Sequence, residues 1–102
     1  MTDARVLLCT APPDQADALA HKLLEAHLAA CVNVLPGARS HYWWKGAIQS
    51  DDEALLVIKT TAERVPKLIE ALPALHPYDT PELLSLPVDD GLPPYLAWLR
   101  QS

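Results

Sequence analysis

The chain has 102 residues, half of them hydrophobic, which suits one domain with one core and is too short for two. Eight Lys and Arg against 13 Asp and Glu leave a formal charge of -5, and the basic residues form no run, so general affinity for nucleic acid is excluded. No apolar stretch approaches the roughly 20 residues that span a bilayer, and Met1 to Arg5 lacks the basic start of a signal peptide, so a cytoplasmic chain is expected.

Val6 to Cys9 is a continuous apolar run closed by Thr10, Ala11, Pro12 and Pro13, the pattern of a buried strand that ends in a turn. From Asp14 to Leu28, residues Ala16, Leu19, Ala20, Leu23 and Leu24 recur at helical spacing, with Asp17, His21, Lys22 and Glu25 on the other face. Asp14 and Asp17 suit the positive end of that helix. Cys31 to Leu35 reads as a second strand that bends at Pro36 and Gly37 and resumes from Ser40 to Trp44. Lys45 and Gly46 form a tight turn, and Ala47 to Thr60 returns as the third strand. Each arm of this hairpin has about 13 residues and extends about 40 Å, which outreaches a small domain and predicts projection after a bend.

Val65, Leu68, Ile69 and Leu72 mark a second helix that starts a residue or two before Pro66, with Pro73 limiting its end. Leu83 to Leu86 is the fourth strand. Asp89, Asp90 and Gly91 then turn the chain into a final helix carrying Tyr95, Leu96, Trp98 and Leu99. The order βαββαβ plus a terminal helix predicts an α+β, ferredoxin-like fold with two helices on one face of a four-stranded antiparallel sheet. Strands one, three and four are apolar at nearly every position, whereas a solvated face would alternate. Leaving several hundred Å² of that face bare would forfeit on the order of 10 kcal/mol, so self-association is expected.

Tyr42, Trp43 and Trp44 stand beside the hairpin tip, where one subunit has little core to offer them, and read as a subunit contact or a cleft wall. His76 to Glu82 contains two prolines that hold His76, Tyr78, Asp79 and Glu82 in defined directions, as a site requires. A plainer alternative is a rigid connector in which Asp79 caps the turn and Glu82 pairs with Lys59 or Arg64. Cys9 precedes the first helix, whose N-terminus would favour a thiolate, and the topology brings Cys9 toward His76. That pair suits copper or zinc, with a further donor needed, while the alternative is a buried core thiol. Neither Cys9 nor Cys31 is in a CxxC pair, so two free thiols are expected, Cys31 as a strand residue. Gly37, Gly46 and Gly91 form no phosphate loop, and His21, His27, His41 and His76 lack metalloprotease spacing. His21 and His27 read as solvated helix positions.

The segments Leu28 to Gly37, Tyr42 to Gly46, Lys59 to Thr61 and His76 to Glu82 together resemble the CutA divalent-cation-tolerance family, in the same order and at similar spacing over nearly the whole chain. The resemblance implies one CutA-like domain over residues 1–102, a tight homotrimer similar to PII signalling proteins, and a link to copper and other divalent metals. It implies no catalytic reaction. Cys9 and His76 match two positions of a copper site in some bacterial members, while Leu75 stands where those members carry a further histidine. Tyr42, Trp43, Trp44, Lys59, Tyr78 and Glu82 are then expected at a subunit interface or an inter-subunit cleft. A divalent metal or small ligand is the expected cargo, a protein-binding scaffold is the alternative, and acid-base chemistry by His76, Tyr78 and Glu82 ranks last.

Overall fold

The first apolar run forms β1 (Ala4–Ala11), and the helical periodicity that follows forms α1 (Ala16–Glu25). The computed structural model describes residues 1–102 and continues with β2 (Cys31–Trp44), β3 (Ala47–Thr61), α2 (Val65–Leu75), β4 (Leu84–Pro87) and α3 (Pro93–Gln101). The sheet order is β2-β3-β1-β4, with every neighbouring pair antiparallel. This is the expected α+β, ferredoxin-like order.

β2 and β3 pair from Cys31 opposite Lys59 out to Trp44 opposite Ala47, with a bulge between Leu35 and Ala38. Gly37 lies in this bulge at φ 84°, and Lys45 and Gly46 turn the tip at φ 50° and 79°, the positive pair that a two-residue hairpin turn requires. β1 stops at Ala11 opposite Ala54, so the outer half of the hairpin runs on without a third strand. The molecule is accordingly long, 44 × 26 × 23 Å.

One sheet face carries the core. Leu7 and Cys9 of β1 and Leu56 and Ile58 of β3 are fully buried in a cluster with Leu19 and Leu23 of α1 and Leu68 and Leu72 of α2. Burying each of the large aliphatic chains contributes about 1.5–3 kcal/mol. Thr60 enters the same layer because its hydroxyl donates to the Leu28 carbonyl at 2.9 Å.

The opposite face has little cover. Strand register puts Val6, Leu8, Leu35, Leu55, Val57, Leu84 and Leu86 on it, and Leu35, Leu84 and Leu86 remain 46%, 59% and 45% exposed. Only one end is covered, where α3 packs on β1 and β3. There Leu99, Ala4 and Thr61 are buried, and the Lys59 ammonium lies 6.0 Å from the Tyr95 ring.

Two helix ends differ from the sequence reading. α1 stops at Glu25, and His27 adopts φ 56° while the amides of His27 and Leu28 donate to Leu24 and Leu23. That hydrogen-bond pair is the left-handed helix stop usually filled by glycine, so His27 is a helix terminator rather than a helix position. α2 begins at Val65 as expected but does not stop at Pro73. It runs through that residue to Leu75, since a proline so close to the C-terminus removes a single bond from a helix about to end.

Candidate functional site

The loop from His76 to Glu82 docks against the end of β1 at Thr10. Both ring nitrogens of His76 hold this loop. Nδ1 accepts the Tyr78 amide at 3.1 Å, which leaves Nε2 as the protonated nitrogen, donating to the Thr10 carbonyl at 2.8 Å. The Tyr78 hydroxyl then donates to Glu53 Oε2 at 2.8 Å, fastening the loop to β3. Glu53 is only 6% exposed although it is a carboxylate.

Between this loop and the outer hairpin opens a cleft of about 750 Å³. Its walls include the aromatic rings of Tyr42, Trp44 and Tyr78 and the carboxylates of Asp51, Glu53 and Glu82, with Asp52 and Asp79 beside them. No Lys or Arg lines it. Asp52 is partly neutralised by Arg39 at 3.0 Å, an exposed pair. Tyr42 donates to Asp51, and that hydrogen bond holds its phenol pKa above the ordinary value. Burial raises the Tyr78 phenol as well, reinforced by its bond to Glu53. Both phenols stay protonated and serve as donors.

Cys9 behaves otherwise than its position before α1 suggests. Its side chain is fully buried, and that burial, followed by the negative charges of Glu82 and Glu53, pushes its thiol pKa up from 9.0 to about 12. The expected thiolate is therefore a neutral thiol. Cys9 Sγ and His76 Nε2 each approach the Thr10 carbonyl, at 3.7 and 2.8 Å. No three His, Cys, Asp or Glu side chains gather into a set that would hold a metal within one subunit.

Residues 5–102 match the family described as CutA1 divalent ion tolerance protein. The chain belongs to the CutA1 family. A divalent-cation tolerance protein CutA from Pectobacterium atrosepticum is 50% identical over 103 residues, covering 100% of this chain and 94% of the relative. One from Thermus thermophilus is 47% identical over 98 residues, 95% of each chain. The solved CutA1 structure from Thermus thermophilus superposes with a TM-score of 0.92 at 46% identity, covering 96% of both chains. A PII-like protein CutA from Nostoc sp. PCC 7120 gives 0.89 at 32% identity, covering 95% of this chain and 94% of its own. The CutA1 and PII-like character expected from the motifs thus holds over the whole fold.

Within this CutA1 chain the expected cleft residues divide. Tyr42, Trp44, Tyr78 and Glu82 share the cleft. Trp43 points to the other face of the hairpin, where it is 72% exposed opposite Ile48, because successive strand residues alternate. Lys59 lies at the far end of the sheet beside Tyr95. The alternative pairing of Glu82 with Lys59 or Arg64 does not form, and Arg64 donates instead to the Ser102 carbonyl at 3.0 Å. Sequence reasoning missed Asp51 and Glu53. Their signal was the run Asp51, Asp52, Glu53 in a strand otherwise rich in apolar residues, since Asp and Glu are depleted in strands without a local reason.

Proposed function

We propose that this CutA1 chain works as a non-catalytic homotrimer that takes up a divalent cation, copper among them, in clefts completed between subunits. The observation that carries the reading is the cleft itself, lined by carboxylates and tyrosines without a Lys or Arg, beside an apolar sheet face that lacks cover. A second subunit on that face would bury Leu35, Leu84 and Leu86 and add donors at the cleft mouth. The family's tolerance to divalent ions supports the choice of cargo.

The residues fit a metal only in part. Asp51, Glu53 and Glu82 supply oxygen donors for a hard cation, but one subunit does not gather enough of them. Cys9 and His76 would suit copper or zinc, provided the thiol gives up its proton and His76 releases one of its hydrogen bonds. Leu75 adds no donor. Metal uptake at that pair should therefore release protons and loosen the loop from Thr10.

Light scattering on the purified chain tests the trimer. Copper and zinc titrations of the reduced wild type, Cys9→Ser, His76→Ala and Glu53→Gln test the site, and equal binding by all four would remove both donor sets. A second reading, a trimeric scaffold for another protein, is favoured by the exposed Trp43 and Ile48 pair on the outer hairpin face. Partner capture lost on Trp43→Ser, with metal binding unchanged, would select it. Cytoplasmic residence belongs to the same proposal and is checked by cell fractionation. No helix is long and apolar enough to cross a membrane, and a CutA relative from Archaeoglobus fulgidus is described as periplasmic.

A further inference from the structure

We propose that Asp90 and Gly91 form a self-modifying site. The Asp90 side chain closes on the Gly91 amide to give a succinimide, which water opens to an isoaspartyl link that loosens α3 from the sheet. This covalent change involves neither the cleft nor a metal.

The Gly91 amide donates to Asp90 Oδ1 at 2.8 Å. Its nitrogen is thereby held against the carboxyl group whose carbon it must attack, close to the arrangement from which the bond forms. Asp89, Asp90 and Gly91 are exposed, lie outside every helix and strand, and make no backbone–backbone hydrogen bond. Their backbone is free to turn into the ring, while the segment is pinned on either side, Val88 to Thr2 and Ala4 and Leu92 to Tyr95 and Leu96. Gly91 also presents no side chain to hinder closure. Every other Asp of the chain precedes a residue that carries one, and Asn33 precedes β-branched Val34 within paired strand β2.

The reaction is a dehydration followed by a hydration. The Gly91 nitrogen loses its proton and bonds to Cγ of protonated Asp90, and the Cγ hydroxyl leaves as water. A second water then adds to the Asp90 main-chain carbonyl carbon and breaks its bond to the Gly91 nitrogen. The chain now continues through Cγ, longer by one methylene, with the former main-chain carbonyl as a free carboxylate. Hydrolysis at Cγ instead restores Asp90.

The inserted methylene acts on α3. Leu92 is followed by Pro93 and Pro94, which open that helix with fixed φ and leave little backbone freedom to absorb the change. Gly91 rests on Leu96, since a Cβ at this position would stand 3.2 Å from Leu96 Cδ2. Moving it disturbs the helix whose Leu99 is buried at the covered end of the sheet face, where Ala4 and Thr61 are buried too.

Incubating the purified full chain in warm, mildly acidic buffer, which enlarges the protonated fraction of exposed carboxyl groups, tests the proposal. Peptide mapping should find a succinimide lighter by one water, then an isoaspartyl peptide of unchanged mass and shifted elution, both at Asp90. Asp90→Glu, at an exposed position where folding is not at stake, enlarges the ring and should lose both products. Asp90→Asn, whose leaving group is ammonia, should reach the same isoaspartyl product faster in neutral buffer. Amide exchange in Pro93–Gln101 should quicken in incubated wild type and not in incubated Asp90→Glu. Products spread over the other Asp residues, or formed at Asp90 only after guanidinium unfolds the chain, would overturn the proposal. So would an Asp90→Asn chain that stays intact, or equal α3 exchange before and after the isoaspartyl link has formed.

Discussion

The Tyr78 hydroxyl donates to Glu53 Oε2 at 2.8 Å, joining residues 25 positions apart and tying the loop after α2 to the long hairpin. Tyr78→Phe would strip the Glu53 carboxylate of its only side-chain hydrogen bond and should cost about 1–3 kcal/mol. Denaturant unfolding measures the loss, and amide exchange should quicken in residues 76–82. Glu53→Gln keeps an acceptor for the same hydroxyl and should cost less.

Cys9 should resist iodoacetamide in the native protein at pH 8 and react once guanidinium unfolds it. Its pH linkage has a definite sign. Below pH 9 the thiol is protonated in both states and its contribution is fully present. As pH rises from 9.0 toward about 12, the unfolded chain loses this proton while the folded chain keeps it, so stability falls. Unfolding curves of wild type and Cys9→Ala should converge in slope below pH 9 and separate above it, the variant declining less.

The core layer between sheet and helices makes a graded prediction. Leu56→Ala should lose about 2–5 kcal/mol and Ile58→Val about 0.5–1.5 kcal/mol. Both side chains are fully buried against α1 and α2, so little collapse can refill the space. Urea midpoints at matched protein concentration check the ranking.

Leu84→Glu places a charge on the uncovered face, on edge strand β4 beside Leu8, while leaving the helix-side core untouched. Under the proposed homotrimer, sedimentation should show this variant shifted toward monomer, with helical circular dichroism retained. A sedimentation profile identical to wild type would overturn the proposed use of this face as the subunit contact.

Gly37→Ala tests the hairpin bulge. Nothing lies within 4 Å of the added Cβ, so the cost of about 1 kcal/mol comes from φ 84° alone. Thermal melting measures it, and Gly46→Ala at φ 79° should behave alike.

Much of the fold was legible because local rules and the tertiary fold agree. The apolar run from Val6, the periodicity from Ala16 to Leu24 and the turn at Lys45 and Gly46 each specify an element without help from afar. The continuous apolar character of three strands also announced the uncovered face, since burial on one side alone would have left alternation. The quoted motifs identified the family.

The site was legible only in part. Tyr42, Trp44, Tyr78 and Glu82 could be assigned to a cleft from aromatic placement and loop rigidity, but Trp43 and Lys59 depended on strand parity and on which end of the sheet α3 covers. The state of Cys9 was decided by tertiary structure alone. A position before a helix favours a thiolate locally, yet full burial and the nearby Glu82 and Glu53 act through space and reverse that preference. Glu53 likewise became a central residue only when the early end of β1 let Tyr78 reach it. The sequence by itself determined the elements, their order and the apolar face, because those follow from neighbours along the chain. Protonation, side-chain direction and the acidic cleft came from folding, which sets distances between residues far apart in sequence and with them the local dielectric.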